Sequence, residues 1–315
     1  MLEFLRQEGD DENLIARIEQ YRKEYPVADS DAVRIPSPKY KYYGREIWQL
    51  GITALLSGEN ILLVGPKATG KNVFAENLSA VFGRPEWDIS FYLNTDASSL
   101  IGTDTFRSGE VSFRKGPIYA CAEAGGFGVL DEINMAKNES LAVLHATLDF
   151  RKIIDVPGYS RIHLAPSTRF IATMNYGYAG TRELNEALAS RFMVINMPVI
   201  SGADLEKLLA QQYPSLKTEY AVQLAALFEE IRKKCESSEI STKALDLRGL
   251  LAAVKLVDHG LSMKEALRIA IINKSFDDFE RTLVEDIVSA RIDGKLCRED
   301  IFAKNTRGDS QTFTS

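Results

Sequence analysis

Gly65-Pro66-Lys67-Ala68-Thr69-Gly70-Lys71-Asn72 follows directly on the apolar run Ile61-Leu62-Leu63-Val64. A buried strand, a glycine-bounded loop, a lysine and then a helix form the plan of a phosphate cradle. Successive backbone N–H groups of such a loop point inward and bind phosphate oxygens. The dipole of the following helix favours negative charge at the same place, and the lysine ammonium reaches the β- and γ-phosphates. One position departs from the pattern G-x-x-x-x-G-K-[ST]: Asn72 stands where a hydroxyl would ligate Mg²⁺. The short pattern also arises by chance, so the residues downstream decide its meaning.

Composition bounds the answer from outside. The 315 residues suit one large or two modest domains, and 45% hydrophobic with 26% charged residues supports a sizeable core. The net charge of -6 argues against a general nucleic-acid-binding surface, which is usually basic. Cys121, Cys235 and Cys297 are far apart and odd in number, which disfavours a disulfide framework or zinc site and fits a reducing cytosol. The start, Met1-Leu2-Glu3-Phe4, does not read as a secretory signal, and no apolar run approaches the 18 or so residues of a membrane span. The expected location is therefore cytoplasmic.

Periodicity divides the chain. Leu14, Ile15, Ile18 and Tyr21 have helical spacing before Pro26, so residues 1–39 read as a helical extension and linker. Residues 40–200 alternate strands and helices. Strands are expected at Ile61–Val64, Asp88–Tyr92, Gly126–Asp131, Thr168–Met174 and Met193–Met197, and helices at Arg45–Leu56, Lys71–Phe82 and Asn138–Leu148. Such alternation implies an α/β fold: a five-stranded, mostly parallel sheet covered on both faces. Two hairpin-like insertions, Phe106–Phe113 and Lys152–Ile162, interrupt it. Residues 201–305 read as helices only, a candidate all-helical second domain, and 306–315 as a polar tail.

The third expected strand ends Val129-Leu130-Asp131-Glu132. A strand that delivers two acids beside a phosphate loop is what nucleotide hydrolysis asks for. Asp131 would hold the Mg²⁺ hydration shell, and Glu132 would orient or deprotonate the attacking water. The plainer reading is an acidic helix start; the loop some 60 residues upstream weighs against it. Asn175, at the end of Ala172-Thr173-Met174-Asn175, could position that water, or be a turn asparagine. Arg191, in Ala187-Leu188-Ala189-Ser190-Arg191-Phe192, could stabilise charge on a neighbouring subunit's γ-phosphate, or complement a helix dipole. Arg248, at a helix start in the second domain, gains nothing from the dipole there, which favours a bound anion. Lys39-Tyr40-Lys41-Tyr42-Tyr43 interleaves bases and aromatics as single-strand binders do, or packs beside the adenine or the core.

Together, Gly65–Asn72, Leu130-Asp131-Glu132-Ile133-Asn134, Phe170-Ile171-Ala172-Thr173-Met174-Asn175 and the run from Thr181 to Phe192 resemble a AAA+ ATPase. Within that family they are similar to the MoxR/dynein-related branch and its CbbQ/NorQ type, over about residues 40 to 275. The resemblance implies a P-loop αβα core, a C-terminal helical lid, and Mg²⁺ and ATP as cofactors. Lys71 would belong to Walker A, with Gly65, Pro66, Lys67, Ala68, Thr69, Gly70, Asn72 and Val73 around the nucleotide. Asp131 and Glu132 would be Walker B, Asp131 and Asn72 facing the metal. Asn175 would be sensor 1, Arg191 the arginine finger with Arg182 as second candidate, and Arg248 sensor 2, with Lys243 as its rival.

The resemblance further implies a homo-oligomeric, usually hexameric ring that hydrolyses ATP and remodels a protein partner, often one with a von Willebrand factor A domain. Nucleic acid and membrane are not expected partners. Two other classes stay open: a nucleic-acid motor of a restriction-type system, and a nucleotide-binding scaffold that does not turn over, for which Asn72 is the motive.

Overall fold

The computed structural model describes residues 1–107, 109–156, 158–176 and 183–303, with side-chain detail for all but Arg107. Its chain divides into two compact units, Met1–Val199 and a second that starts at Ile200. Among the described residues no helix is long and apolar enough to cross a membrane.

The first unit is built on five parallel strands in the spatial order β2-β5-β8-β1-β9. They are β1 (Ile61–Val64), β2 (Glu86–Ser90), β5 (Phe127–Asp131), β8 (Arg169–Met174) and β9 (Met193–Asn196). Their near-continuous apolar content is what a sheet covered on both faces requires. The two-residue alternation sorts side chains between two cores. Ile61, Leu63, Phe127, Val129 and Ile171 join the helix Arg45–Leu56 and the helix Lys71–Phe82 on one face. Leu62, Val64, Leu130, Phe170 and Ala172 face the other core, with Ile118, Leu144 and Leu148.

Strand β2 lies two residues earlier than the expected Asp88–Tyr92. Phe127 N donates to Pro85 O at 2.8 Å and Phe91 N to Asp131 O at 2.9 Å, which pins the ladder from Glu86↔Phe127 to Ser90↔Asp131. Only Trp87 and Ile89 of that strand are buried. The helix expected at Asn138–Leu148 is broken into α-helix Asn138–Leu141, a 3₁₀ turn Ala142–Leu144 and α-helix His145–Leu148. A 3₁₀ turn superimposes residues i and i+3, so Leu141 and Leu144 still share the buried side.

Both insertions are two-stranded. Strands β3 (Gly102–Arg107) and β4 (Glu110–Lys115) pair antiparallel over six residues, and Phe106 and Val111 face each other, exposed, at the distal end. Strands β6 (Ile153–Ile154) and β7 (Ile162–His163) pair over only two residues. The expected turn residues Ser108 and Pro157 lie outside the described residues, as do Arg182 and the tail from 304.

The N-terminal segment is fastened to the same core. Ile15, Ile18 and Tyr21 of the helix Glu12–Glu24 are buried. Arg22 donates from Nε to Val81 O (2.9 Å) and from Nη2 to Ala80 O (2.9 Å), capping the last carbonyls of the helix that starts at Lys71. Arg84, 2% exposed, donates to Tyr25 O (2.6 Å), Gly125 O (2.9 Å) and Ser167 Oγ (3.1 Å), while Tyr21 O–H donates to Ser167 O (2.7 Å).

The second unit is helical. Gly202–Gln212 packs on Thr218–Glu236, and Leu247–Asp258 on Met263–Ala270. The helix Asp278–Arg291 packs on Thr218–Glu236. Leu209, Leu224, Leu227, Val254, Val257, Leu267 and Val284 are fully buried in this unit. Four of these helices begin with a side-chain cap, from Ser201, Asp246, Ser262 and Asp277, which satisfies amides that the first turn leaves without partners.

Arg84→Ala removes a donor from the Gly125 and Tyr25 carbonyls, the first of which keeps Ser167 Oγ, and is expected to cost about 2 kcal/mol of unfolding free energy. A urea midpoint unchanged from the parent would show those bonds to be dispensable.

Candidate active site

Strand β8 separates β1 from β5 in the sheet, so its tip lies between the loop that leaves β1 and the acids that end β5. All three ends point the same way because the strands are parallel, and loops at that edge are where α/β sheets bind ligands.

The loop after β1 is locked by short contacts. A Cβ on Gly65 would come 2.8 Å from Met197 O, so only glycine fits there without a shift. Gly65 N donates to Met174 O at 3.3 Å, joining the loop to β8. Gly70 caps the helix Lys71–Phe82 in the left-handed conformation (φ 74°), and Ala68 also has positive φ (64°). The Tyr42 ring packs beside Gly70, where a Cβ would be 3.3 Å away, and against Phe74 at 4.8 Å between ring centroids. Of the two readings of Lys39–Tyr43, Tyr42 takes the packed one: it is 8% exposed, and its carbonyl accepts from Trp48 Nε1 at 3.0 Å.

Lys71 is 7% exposed. Its ammonium donates to Gly65 O (2.9 Å), Pro66 O (2.8 Å) and Thr69 Oγ1 (3.2 Å). Burial pushes it down to about 8, and the nearby carboxylates of Asp131 and Glu132 act in the opposite direction. The loop therefore holds a desolvated cation that faces the acid pair.

Asp131 and Glu132 are half-buried. Thr173, fully buried on β8, donates from Oγ1 to Asp131 Oδ1 at 2.6 Å and accepts from Glu132 N at 3.0 Å. Glu132 adopts a left-handed backbone (φ 54°), a conformation that costs on the order of 1 kcal/mol and is held here by that bond. Asn175 donates from Nδ2 to Glu132 Oε1 at 3.0 Å, and its carbonyl accepts from Asn134 Nδ2 at 3.1 Å. Lys71, Asp131, Glu132 and Asn175 thus belong to one site. Thr173 and Asn134 belong to it too.

The other expected residues are placed separately. Asn72 is exposed on the first turn of the helix, where its amide oxygen is a hard donor of the kind Mg²⁺ accepts. With Oδ1 of Asp131 engaged by Thr173, Oδ2 is the oxygen suited to a magnesium water shell. No group of three or more His, Cys, Asp or Glu side chains is arranged to hold a metal among the described residues. Such a site would share the ion with phosphate and water.

Arg191 is held by His145 O and Asp149 of its own chain, at 3.1 and 3.7 Å. His145 itself is half-buried, as its helical spacing suggests. In the second unit Arg248 is exposed on the helix Leu247–Asp258, next to the N-cap Asp246. Lys243 stands 5.8 Å over the Phe276 ring.

Residues 60–192 match the AAA domain (dynein-related subfamily). An uncharacterized protein of Bacillus subtilis (strain 168), YojN, is 33% identical over 271 residues, which span 84% of this chain and 88% of the relative. An uncharacterized protein of Staphylococcus saprophyticus is 34% identical over 237 residues, 73% of this chain and 89% of its own length. Among solved structures, a candidate ATPase from Cytophaga hutchinsonii aligns over 90% of this chain and 97% of its own, with a TM-score of 0.44 and 15% identity.

The Lys71 ammonium makes a pH prediction. Its folded value, about 8, lies below the ordinary 10.5, so the unfolded chain binds more protons between those limits and stability rises with pH there. Relative to Lys71→Met, the parent should gain up to about 3 kcal/mol between pH 8 and 10.5 in urea unfolding. A parent–variant difference that stays flat with pH would contradict the buried-cation account.

Proposed function

The chain belongs to the AAA family, in its dynein-related subfamily, and on that premise we propose that it is an ATP-hydrolysing motor of the MoxR type that remodels a partner protein. The observation that carries the reading is the braced acid pair: Thr173 on Asp131, Asn175 on Glu132, both opposite the buried Lys71.

In this reading a triphosphate replaces the loop carbonyls as the acceptor for Lys71. Main-chain amides of residues 65–71 take the remaining phosphate oxygens. The Glu132 carboxylate orients a water and accepts its proton as the water attacks the γ-phosphorus and the bond to the bridging oxygen breaks, releasing ADP. Asn175 keeps that carboxylate turned to the water rather than to Lys71. When bound, Mg²⁺ neutralises charge on the β- and γ-oxygens, with Asp131, and Asn72 as second candidate, beside it.

Arg191 acts on the nucleotide of the next subunit in a ring, which we take to be a hexamer; Arg182 is the alternative donor. Arg248, or Lys243, is the sensor 2 candidate carried by the helical unit. Hydrolysis drives the two hairpins, β3–β4 and β6–β7, against a partner. The exposed Phe106–Val111 pair is the apolar grip of the first. A protein with a von Willebrand factor A domain, encountered in the cytoplasm, is the partner class we favour by analogy to the branch. One observation favours a scaffold that binds nucleotide without turnover: Asn72 offers an amide where a hydroxyl would ligate the metal.

Glu132→Gln should bind ATP as the parent does and release phosphate at least 100-fold more slowly. Binding with no phosphate release from the parent would establish the scaffold, and turnover retained within tenfold in the variant would remove Glu132 from the mechanism.

A further inference from the structure

Arg191 precedes β9, and its side chain is one-fifth exposed. Its guanidinium is held from three sides by its own chain. Nε donates to His145 O at 3.1 Å, Nη1 donates to Ala187 O, and Nη2 stands 3.7 Å from Asp149 Oδ2, an ion pair rather than a hydrogen bond. A guanidinium has five N–H donors. Among the described residues two of the five are engaged in hydrogen bonds, which leaves one N–H on Nη1 and two on Nη2, with the Asp149 carboxylate beside Nη2. Two such N–H groups on the terminal nitrogens are the fork that meets a pair of phosphate oxygens.

The carboxylate of Asp149 is itself fixed. Oδ1 accepts from Arg151 N at 2.9 Å, and the Arg151 side chain donates to both oxygens, from Nε at 3.1 Å to each and from Nη2 to Oδ2 at 2.6 Å. Its side chain is 12% exposed. The Arg151 bonds, with Arg191 beside them, hold the carboxyl below its usual range, so it is ionised throughout neutral pH. The other titratable neighbour, His145, is pushed down by burial and by the Arg191 charge, which favours a neutral imidazole. Arg191 therefore rests against a carbonyl of one turn, a carbonyl of another and an immobile anion.

We propose that Asp149 is a positioning residue for Arg191, fixing the plane of its guanidinium so that one N–H from each terminal nitrogen meets an anion carried by another copy of this chain. The inference rests on the ATPase reading, since the anion is the γ-phosphate of the neighbour. Asp149 touches no reacting atom. A purely structural Asp149 would pin the start of the β6–β7 hairpin through Arg151 and act on stability alone.

A double-mutant cycle on the full chain separates the two roles. ATP turnover is measured for the parent, Asp149→Asn, Arg191→Ala and the double variant at one protein concentration, with urea midpoints alongside. Asp149→Asn should lower kcat threefold or more with KM within twofold, and should add less than twofold to the loss in Arg191→Ala. Should Asp149→Asn not fold, Asp149→Ser keeps an acceptor for Arg151 N and gives the same comparison.

A smaller loss of kcat, or losses that multiply in the double variant, would overturn the proposal. Parent-like turnover in Arg191→Ala would overturn it while leaving the ATPase reading in place. No turnover in the parent would defeat the ATPase reading and this inference with it.

Discussion

The parallel register of the central sheet is the constraint on which the site depends. Because β1, β5 and β8 run the same way and β8 lies between the other two, the Lys71 loop and the Asp131–Glu132 pair flank a single strand tip. That tip touches both sides. The Met174 carbonyl accepts from Gly65 N, Thr173 holds Asp131 and the Glu132 amide, and Asn175 holds the Glu132 carboxylate. A one-residue slip of β8 would send Thr173 to the opposite face and exchange the two cores, which the alternation of Phe170, Ile171 and Ala172 forbids.

Concentrated charge is tolerated there because each charge has a fixed partner. Burial works against the Lys71 ammonium, and two loop carbonyls and a hydroxyl give it hydrogen bonds while Asp131 and Glu132 favour its charged form. These contacts hold the Lys71 ammonium and the two carboxylates in fixed positions, the arrangement that electrostatic stabilisation asks for. The far end of the same helix is closed by Arg22 from the N-terminal segment, so the helix behind the Lys71 loop is capped at its C-terminus.

The phosphate loop and the acid strand are legible because both depend on local spacing: an apolar strand, then Gly65 to Lys71, and another strand ending in Asp131 and Glu132. Helix Arg45–Leu56 and the stop of Lys71–Phe82 at Gly83 are legible for the same reason. What the sequence hides is pairing across distance. Thr173 reads as one more β-branched strand residue until β5 is placed beside β8. Nothing in the local sequence marks Asp149 until Arg191, 42 positions on, is folded against it. The break at Ala142–Leu144 is hidden because Leu141 and Leu144 are three residues apart, a spacing that an α-helix and a 3₁₀ turn share. The family resemblance reaches the loop, the acids and Asn175, but a partner for the proposed motor would be a property of surfaces, which local motifs do not encode.

The central claim is that a nucleoside triphosphate is gripped at the Lys71 loop. Calorimetric titration of Mg-ATP into the parent and into Lys71→Ala tests it most directly. A charge-assisted bond to phosphate contributes about 1.5–3 kcal/mol, so the account predicts saturable binding to the parent and a loss of affinity of at least tenfold in the variant. Equal affinity in the two proteins, or no binding to the parent, would contradict it.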